Sequence, residues 1–218
     1  MRPHRLVVVV GTGTDVGKTW VGARLLGALR AAGWRVAARK PAQSYDPSDE
    51  PATRDAAVLG AASGEQPETV CPPPRWYEVA LAPPMAADVL ERPAFGVGDL
   101  VAEVCWPDEP VDVGLVETAG GVRSPLAADG DGVSLCAALA PDLVVLVADA
   151  GLGTINAVRL TAAALEGIGA PLVVVLNRFD PSSDLHERNL TWLRQRDAFR
   201  VVTLPGGEEE LADLAAPS

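Results

Sequence analysis

A doubly wound α/β fold, with a mostly parallel sheet and helices on both faces, is what this sequence predicts. Three observations carry that reading. Short β-branched runs recur along the chain, helix-like stretches separate them, and the first run leads through a glycine-rich turn into a helix. Runs that are apolar at nearly every position suit strands buried on both faces. Strands that alternate with helices imply βαβ units.

Taken in order, strands are expected at residues 6–10, 35–39, 113–116, 143–148, 172–176 and 200–204. Residues 18–32 are rich in Ala and Leu and end at Gly33, a residue suited to the left-handed turn that closes a helix. Further helices are expected over 154–167 and 185–196. The rhythm breaks over residues 66–110, where prolines cluster, among them Pro72 to Pro74 and the pair Pro83 and Pro84. Short helices are expected there at 85–90 and 97–104. With no separate core visible, the segment reads as a surface excursion of one domain spanning residues 1–218. A loop and a short helix are expected after Leu204.

The bulk numbers narrow the function classes. A chain of 218 residues can bury one sizeable core, and 48% hydrophobic with 22% charged residues is ordinary for a globular protein. A net charge of −11 leaves no basic footprint for nucleic acid, so an anionic ligand requires a locally positive pocket. Cys71, Cys105 and Cys136 are odd in number and lack C-x-x-C spacing. They predict neither a disulfide framework nor a metal cluster and fit a reducing compartment. His4 and His186 form no ligand pair by spacing. The apolar run at 6–10 is too short for a signal peptide or a membrane span, so a cytoplasmic protein without membrane contact is expected.

The chemistry begins at the first turn. Val10 runs into Gly11-Thr-Gly-Thr-Asp-Val-Gly-Lys-Thr19, the pattern G-x5-G-K-T between a strand and a helix. In such a loop backbone N–H groups wrap phosphates and the helix N-terminus adds its dipole. Lys18 can reach the β- and γ-phosphates and Thr19 can ligate Mg²⁺. The motif predicts a P-loop NTPase type of fold, with ATP as co-substrate and Mg²⁺ as cofactor. Partitioning ATPases carry a second lysine five residues before the first; here Gly13 stands there, which argues against that group. Asn177-Arg-Phe-Asp180 lacks the lysine of the N-K-x-D motif, which argues against a translation-type GTPase, yet Asn177 is placed to meet a purine ring.

Three further residues stand at strand or helix ends. Glu117 closes the strand at 113–116, the Walker B position and a natural Mg²⁺ ligand, although a strand-end acid can also simply face water. Asp55 opens a helix-like segment, where by spacing alone it satisfies the helix dipole. Lys40 ends the second strand, where it can act on a transferred phosphoryl group or merely be solvated.

Together these motifs resemble the dethiobiotin synthetase family over nearly the whole chain. The resemblance runs through GTGTDVGKT at 11–19, KPAQS at 40–44, the Asp55 helix, LAPPMAA at 81–87, VETAGGVRSPL at 116–126, GLGTINAVRLT at 151–161 and VVLN at 174–177. It implies closure of the ureido ring of dethiobiotin from 7,8-diaminopelargonate, CO₂ and ATP with Mg²⁺, in a homodimer with the substrate near the interface. It implies that Lys18 steadies phosphate and Lys40 the carbamate and transferred phosphoryl. Thr19, Asp55 and Glu117 resemble the Mg²⁺ ligands. The resemblance further implies that Asp15, Val16, Gly17, Trp20 and Gly120 complete the nucleotide-binding set and that Asn177, Pro205 and Gly206 lie at the adenine. Thr14 and Ser44 resemble groups that touch the diamine or carbamate, and Asn156 and Asn189 those offered to its carboxylate. Two positions depart from the pattern: Tyr45 and Thr118 stand where the family usually has glycine. Both bear on which substrate fits, since each demands space and restricts φ. Amidases of the cobyrinate type share the lineage but need a glutaminase domain, for which 218 residues leave no room. A non-catalytic ATP switch is the alternative from another class, favoured if Lys40 and Asp55 face away from the nucleotide.

Overall fold

The computed structural model describes residues 1–217. Strand β1 (Arg5–Gly11) leads into helix α1 (Lys18–Ala31), then β2 (Val36–Arg39) and the short β3 (Gln43–Ser44). Helices α2 (Asp55–Ser63) and α3 (Pro67–Val70) precede β4 (Trp76–Tyr77), α4 (Pro83–Val89) and α5 (Val97–Glu103). Strand β5 (Val113–Glu117) is followed by a small hairpin, β6 (Pro125–Ala127) and β7 (Gly130–Asp131), and by α6 (Gly132–Leu139). The chain ends with β8 (Leu143–Asp149), α7 (Thr154–Leu165), β9 (Leu172–Asn177), α8 (Asp184–Gln195), β10 (Arg200–Thr203) and α9 (Glu208–Ala215).

Six strands form one parallel sheet in the order β10-β9-β8-β1-β5-β2. The expected doubly wound fold is therefore observed. Strand β1 pairs with β5 on one side and β8 on the other, so the chain winds both ways from it and a crevice opens at its C-terminal end. Alternate residues of β1 face opposite layers. Val7 and Val9 pack with Leu25, Leu29 and Leu211 on one face, while Leu6, Val8 and Val10 pack with Val158 and Leu193 on the other. This two-sided burial is why the strands were apolar at consecutive positions rather than alternating.

The six expected strands and the helices near 18–32, 154–167 and 185–196 all form, with shifts of one or two residues at some ends. Gly33 has φ 91, as a left-handed residue after α1 should. Helix α7 stops at Leu165 and a 3₁₀ turn covers Glu166–Ile168 before Gly169 reverses the chain at φ 76. The proline-rich excursion differs from expectation in one respect. It has a small core of its own, in which Tyr77, Ala86, Phe95 and Leu100 pack against Ala42, Leu126 and Leu135. Contacts to residues far along the chain build that cluster, so local periodicity did not show it. No helix of the described residues is long and apolar enough to cross a membrane.

Candidate active site

The loop between β1 and α1 is held from below by Asn177 at the end of β9. Its Nδ2 donates to the Val16 carbonyl at 2.9 Å, and the side chain is buried. Gly17 at φ 91 starts α1, and a Cβ there would lie 2.1 Å from that same Nδ2. Only glycine satisfies both the left-handed backbone and the close approach. Next to Asn177, Arg178 ties the loop from outside through an Nη1 bond to Asp149 at 2.8 Å and an Nη2 bond to the Asp15 carbonyl at 2.6 Å. Sequence reasoning did not single out this arginine, because its partners are remote in the chain.

Four polar side chains meet above the sheet. Lys40 Nζ lies 2.6 Å from Glu117 Oε1 and 2.7 Å from Asp55 Oδ2, and donates to the Thr118 carbonyl at 3.1 Å. Thr19 Oγ1 lies within hydrogen-bond reach of both carboxylates, 2.8 Å from Asp55 and 2.9 Å from Glu117, and its one proton can be donated to either. Each arrives from a different element end: Lys40 follows β2, Glu117 closes β5, Asp55 opens α2 and Thr19 lies in the first turn of α1. Asp55 is thus more than a dipole acid, and Lys40, with a side chain 2% exposed, is not a solvated one. Lys18 is also buried, its Nζ donating to the Gly13 carbonyl at 2.9 Å.

Charge balance follows from burial. Burial, aided by the like charge of Lys40, lowers Lys18 to about 8. Burial alone would lower Lys40 too, but Asp55 and Glu117 together hold it protonated, above its ordinary value. Burial pushes both carboxyls up. At enclosed Glu117 it prevails over the pull of Lys40, whereas at Asp55, which opens to the cleft, Lys40 prevails and the carboxyl sits below its usual value.

The residues suit a hard divalent cation. Two carboxylates and a hydroxyl oxygen converge, and Glu117 Oε2 is buried without a hydrogen-bond partner, an acceptor left over for a cation. The described residues contain no group of three or more His, Cys, Asp or Glu side chains that could hold a metal. An ion here would complete its shell from Thr19, phosphate oxygens and water, as Mg²⁺ does with nucleotides.

All this lines a cleft of about 1040 Å³, shared by Thr14, Asp15, Gly17, Lys18, Thr19, Trp20, Lys40, Ser44, Asp55, Glu117 and Gly120. Val16 lies in the loop, which Asn177 supports from behind through the Val16 carbonyl. Pro205 and Gly206 are exposed just past β10, whose neighbour β9 ends at Asn177. Asn156 is exposed on the first turn of α7, outside the cleft, and it does not cap its own helix, whose N-cap is Gly153. Asn189 is buried, and its Nδ2 donates to the carbonyls of Ala150 and Gly151 at 2.9 and 3.0 Å, so in this chain it anchors the turn before α7. Of the two departures, Thr118 is fully buried with its Oγ1 on the Val9 carbonyl, away from the cleft, whereas Tyr45 lines it.

A family model described as an AAA domain matches residues 5–205. The chain is 41% identical to the ATP-dependent dethiobiotin synthetase BioD of Anaeromyxobacter dehalogenans, over 91% of this chain and 89% of that one. It is 38% identical to the protein of the same name from Haloferax mediterranei, over 90% and 82%. The chain belongs to the dethiobiotin synthetase family. Among solved structures, a putative plasmid partition protein of Borrelia burgdorferi bound to AMPPNP matches with a TM-score of 0.59 at 12% identity, covering 98% of each chain. A nucleotide-binding protein of Archaeoglobus fulgidus in complex with ADP matches at 0.56 and 12% identity, over 97% of this chain and 86% of that one. These two show the fold alone. As a dethiobiotin synthetase family member, the chain is an ATP-dependent ligase of biotin synthesis.

Proposed function

We propose that the chain forms dethiobiotin from 7,8-diaminopelargonate, CO₂ and ATP. The carrying observation is the buried Lys40 ammonium set between Asp55 and Glu117, in the same cleft as the phosphate loop. One amine adds to CO₂ and loses a proton, giving a carbamate. A carbamate oxygen attacks the γ-phosphorus as ADP leaves, and the second amine then attacks the carbamic carbon as phosphate leaves and the nitrogen gives up a proton. Lys18, the loop N–H groups and the N-terminus of α1 bind the triphosphate. Lys40 offers positive charge to the carbamate and the transferred phosphoryl, a stabilisation of greatest effect in a site walled from water. Thr19, Asp55 and Glu117 would hold Mg²⁺, which would offset phosphate charge. Thr14 and Ser44 face the second substrate from the cleft wall. Pro205, Gly206 and Asn177 border the purine.

The reading includes a homodimer in the cytoplasm. Asn156 is exposed outside the cleft of its own chain, and Leu152 and Leu160, four residues to either side, are 92% and 66% exposed. Contact with a second copy would cover these apolar groups and present the start of α7 to the partner's cleft. Asn189 then acts through the turn it anchors. The test is phosphate release. It should require diaminopelargonate, bicarbonate and ATP together, with one dethiobiotin per phosphate. Release that ignores the diamine would overturn the reading, and sedimentation of a fully active monomer would overturn the shared site.

A further inference from the structure

Four cations line the cleft, and three have protein partners. Lys40 is held by Asp55 and Glu117, Arg178 by Asp149 and Lys18 by the Gly13 carbonyl. Arg54 is the exception among the described residues. Its guanidinium carbon stacks 3.9 Å from the centre of the Tyr45 ring, and its Nε is buried with no hydrogen-bond partner. Tyr45 is fixed in turn by its Oη, 3.2 Å from Glu78 Oε1. A guanidinium seated over an aromatic face is attracted by the ring and still has its planar, two-pronged donor edge to offer.

The neighbours of this pair are donors without acceptors. Gln43 Nε2 and Ser44 Oγ are buried, unpartnered and part of the same cleft. Gln43 is fixed beside α2 because its Oε1 accepts from Ala56 N at 3.0 Å. Buried polar groups in folded proteins are nearly always satisfied, so three unsatisfied donors along one wall call for an acceptor from outside the chain. The wall lies off the phosphate loop, and the apolar Leu81 and Pro83 line the same cleft. Gln43, Ser44 and Arg54 belong to β3 and the approach to α2 rather than to the phosphate loop, which favours an acceptor on the second substrate over one on the nucleotide.

We propose that Arg54, cushioned on Tyr45, binds a carboxylate-type group of the amine substrate, either its chain carboxylate or its carbamate. The proposal rests on the ring-closing reading above. It also gives Tyr45, one of the two departures from the family pattern, a role as the platform for that arginine.

The test is calorimetric titration of diaminopelargonate into the chain loaded with Mg²⁺ and a non-hydrolysable ATP analogue, with bicarbonate present. Arg54→Ala should weaken diamine binding by about tenfold or more while nucleotide affinity stays within about twofold, the loss expected of one charge-assisted contact. Arg54→Lys should recover only part, since an ammonium keeps the charge but not the planar fork. Unchanged diamine binding, or equal weakening of diamine and nucleotide, would overturn the proposal. The primary amide of diaminopelargonate identifies the group. A loss that persists with the amide assigns the carbamate, and one that vanishes assigns the chain carboxylate. Should the parent protein neither bind nor turn over the diamine, the ring-closing reading fails, and titration with nonanoate decides on Arg54 alone. Parent binding that Arg54→Ala abolishes keeps the carboxylate site; no parent binding, or equal binding by both, removes it.

Discussion

Lys40 and Glu117 form an ion pair at 2.6 Å with side chains 2% and 1% exposed, so neither charge has water as an alternative partner. Removing one member of such a pair leaves the other buried and uncompensated. Lys40→Met should therefore lower unfolding free energy by about 3 kcal/mol, and the double variant with Glu117→Gln should recover much of it. Denaturant titration of the two single variants and the double variant checks this. Strictly additive losses would show that the two side chains do not interact.

The same lysine should matter more to turnover than to nucleotide binding. Lys40→Met is expected to reduce kcat by about a hundred- to a thousandfold, the scale of one lost preorganised electrostatic contact. ATP affinity should change little. Equal losses in ATP affinity and in kcat/KM would place Lys40 on the ground-state nucleotide instead.

Glu117→Gln keeps the shape of the side chain and removes a charge from the candidate Mg²⁺ site. It should weaken Mg·ATP more than metal-free ATP. Equal affinities for both forms in variant and parent would make Glu117 a structural acid.

Lys18 sets a pH limit. Its folded value, about 8, lies below the ordinary 10.5. The nucleotide-free chain should lose ATP affinity as pH rises through about 8, close to tenfold per unit beyond it as the protonated fraction falls. The sign for stability is opposite. Between about pH 8 and 10.5 the unfolded chain holds the Lys18 proton and the folded chain does not, so the share of stability from this group rises with pH. Nucleotide titrations from pH 7 to 10 check the binding limb. Flat affinity over that range would mean that phosphate contact does not need the Lys18 charge.

Gly17→Ala should fold poorly or lose nucleotide binding, because φ 91 disfavours a side chain and its Cβ would meet Asn177 at 2.1 Å. Left-handed backbone alone costs about 1–2 kcal/mol at a non-glycine residue. Thermal melting and ATP titration separate the two effects. A variant that melts and binds like the parent would show that the loop adjusts freely.

What the sequence disclosed follows physical lines. Strands such as 6–10 and 172–176 were legible because burial on both faces forces consecutive apolar residues. The phosphate loop was legible because its chemistry fixes residue types at fixed spacing. Lys40 and Glu117 could be placed at the cleft because strand ends in such a sheet lie there, while Asp55 needed the family resemblance, since an acid at a helix start has a commoner role. Other features depend on contacts across the chain. Local pattern gives no direction for Thr118, and the Oγ1 contact with Val9 is set by sheet packing. Asn189 on the carbonyls of Ala150 and Gly151, Arg178 on Asp149, and the Arg54–Tyr45 stack likewise join residues that spacing does not associate. Helix α6 was missed because it has only eight residues and starts at a glycine, and its one local sign is the Asp131 side chain capping Ser134 N.

In the proposed reaction a carbamate oxygen attacks the γ-phosphate in the cleft that Lys18 and Lys40 both line. Turnover of diaminopelargonate and ATP with oxygen-18-labelled bicarbonate tests it most directly, read by mass spectrometry of the released phosphate. One labelled oxygen should pass from bicarbonate into each phosphate formed along with dethiobiotin. Phosphate free of label, with dethiobiotin still produced, would contradict it.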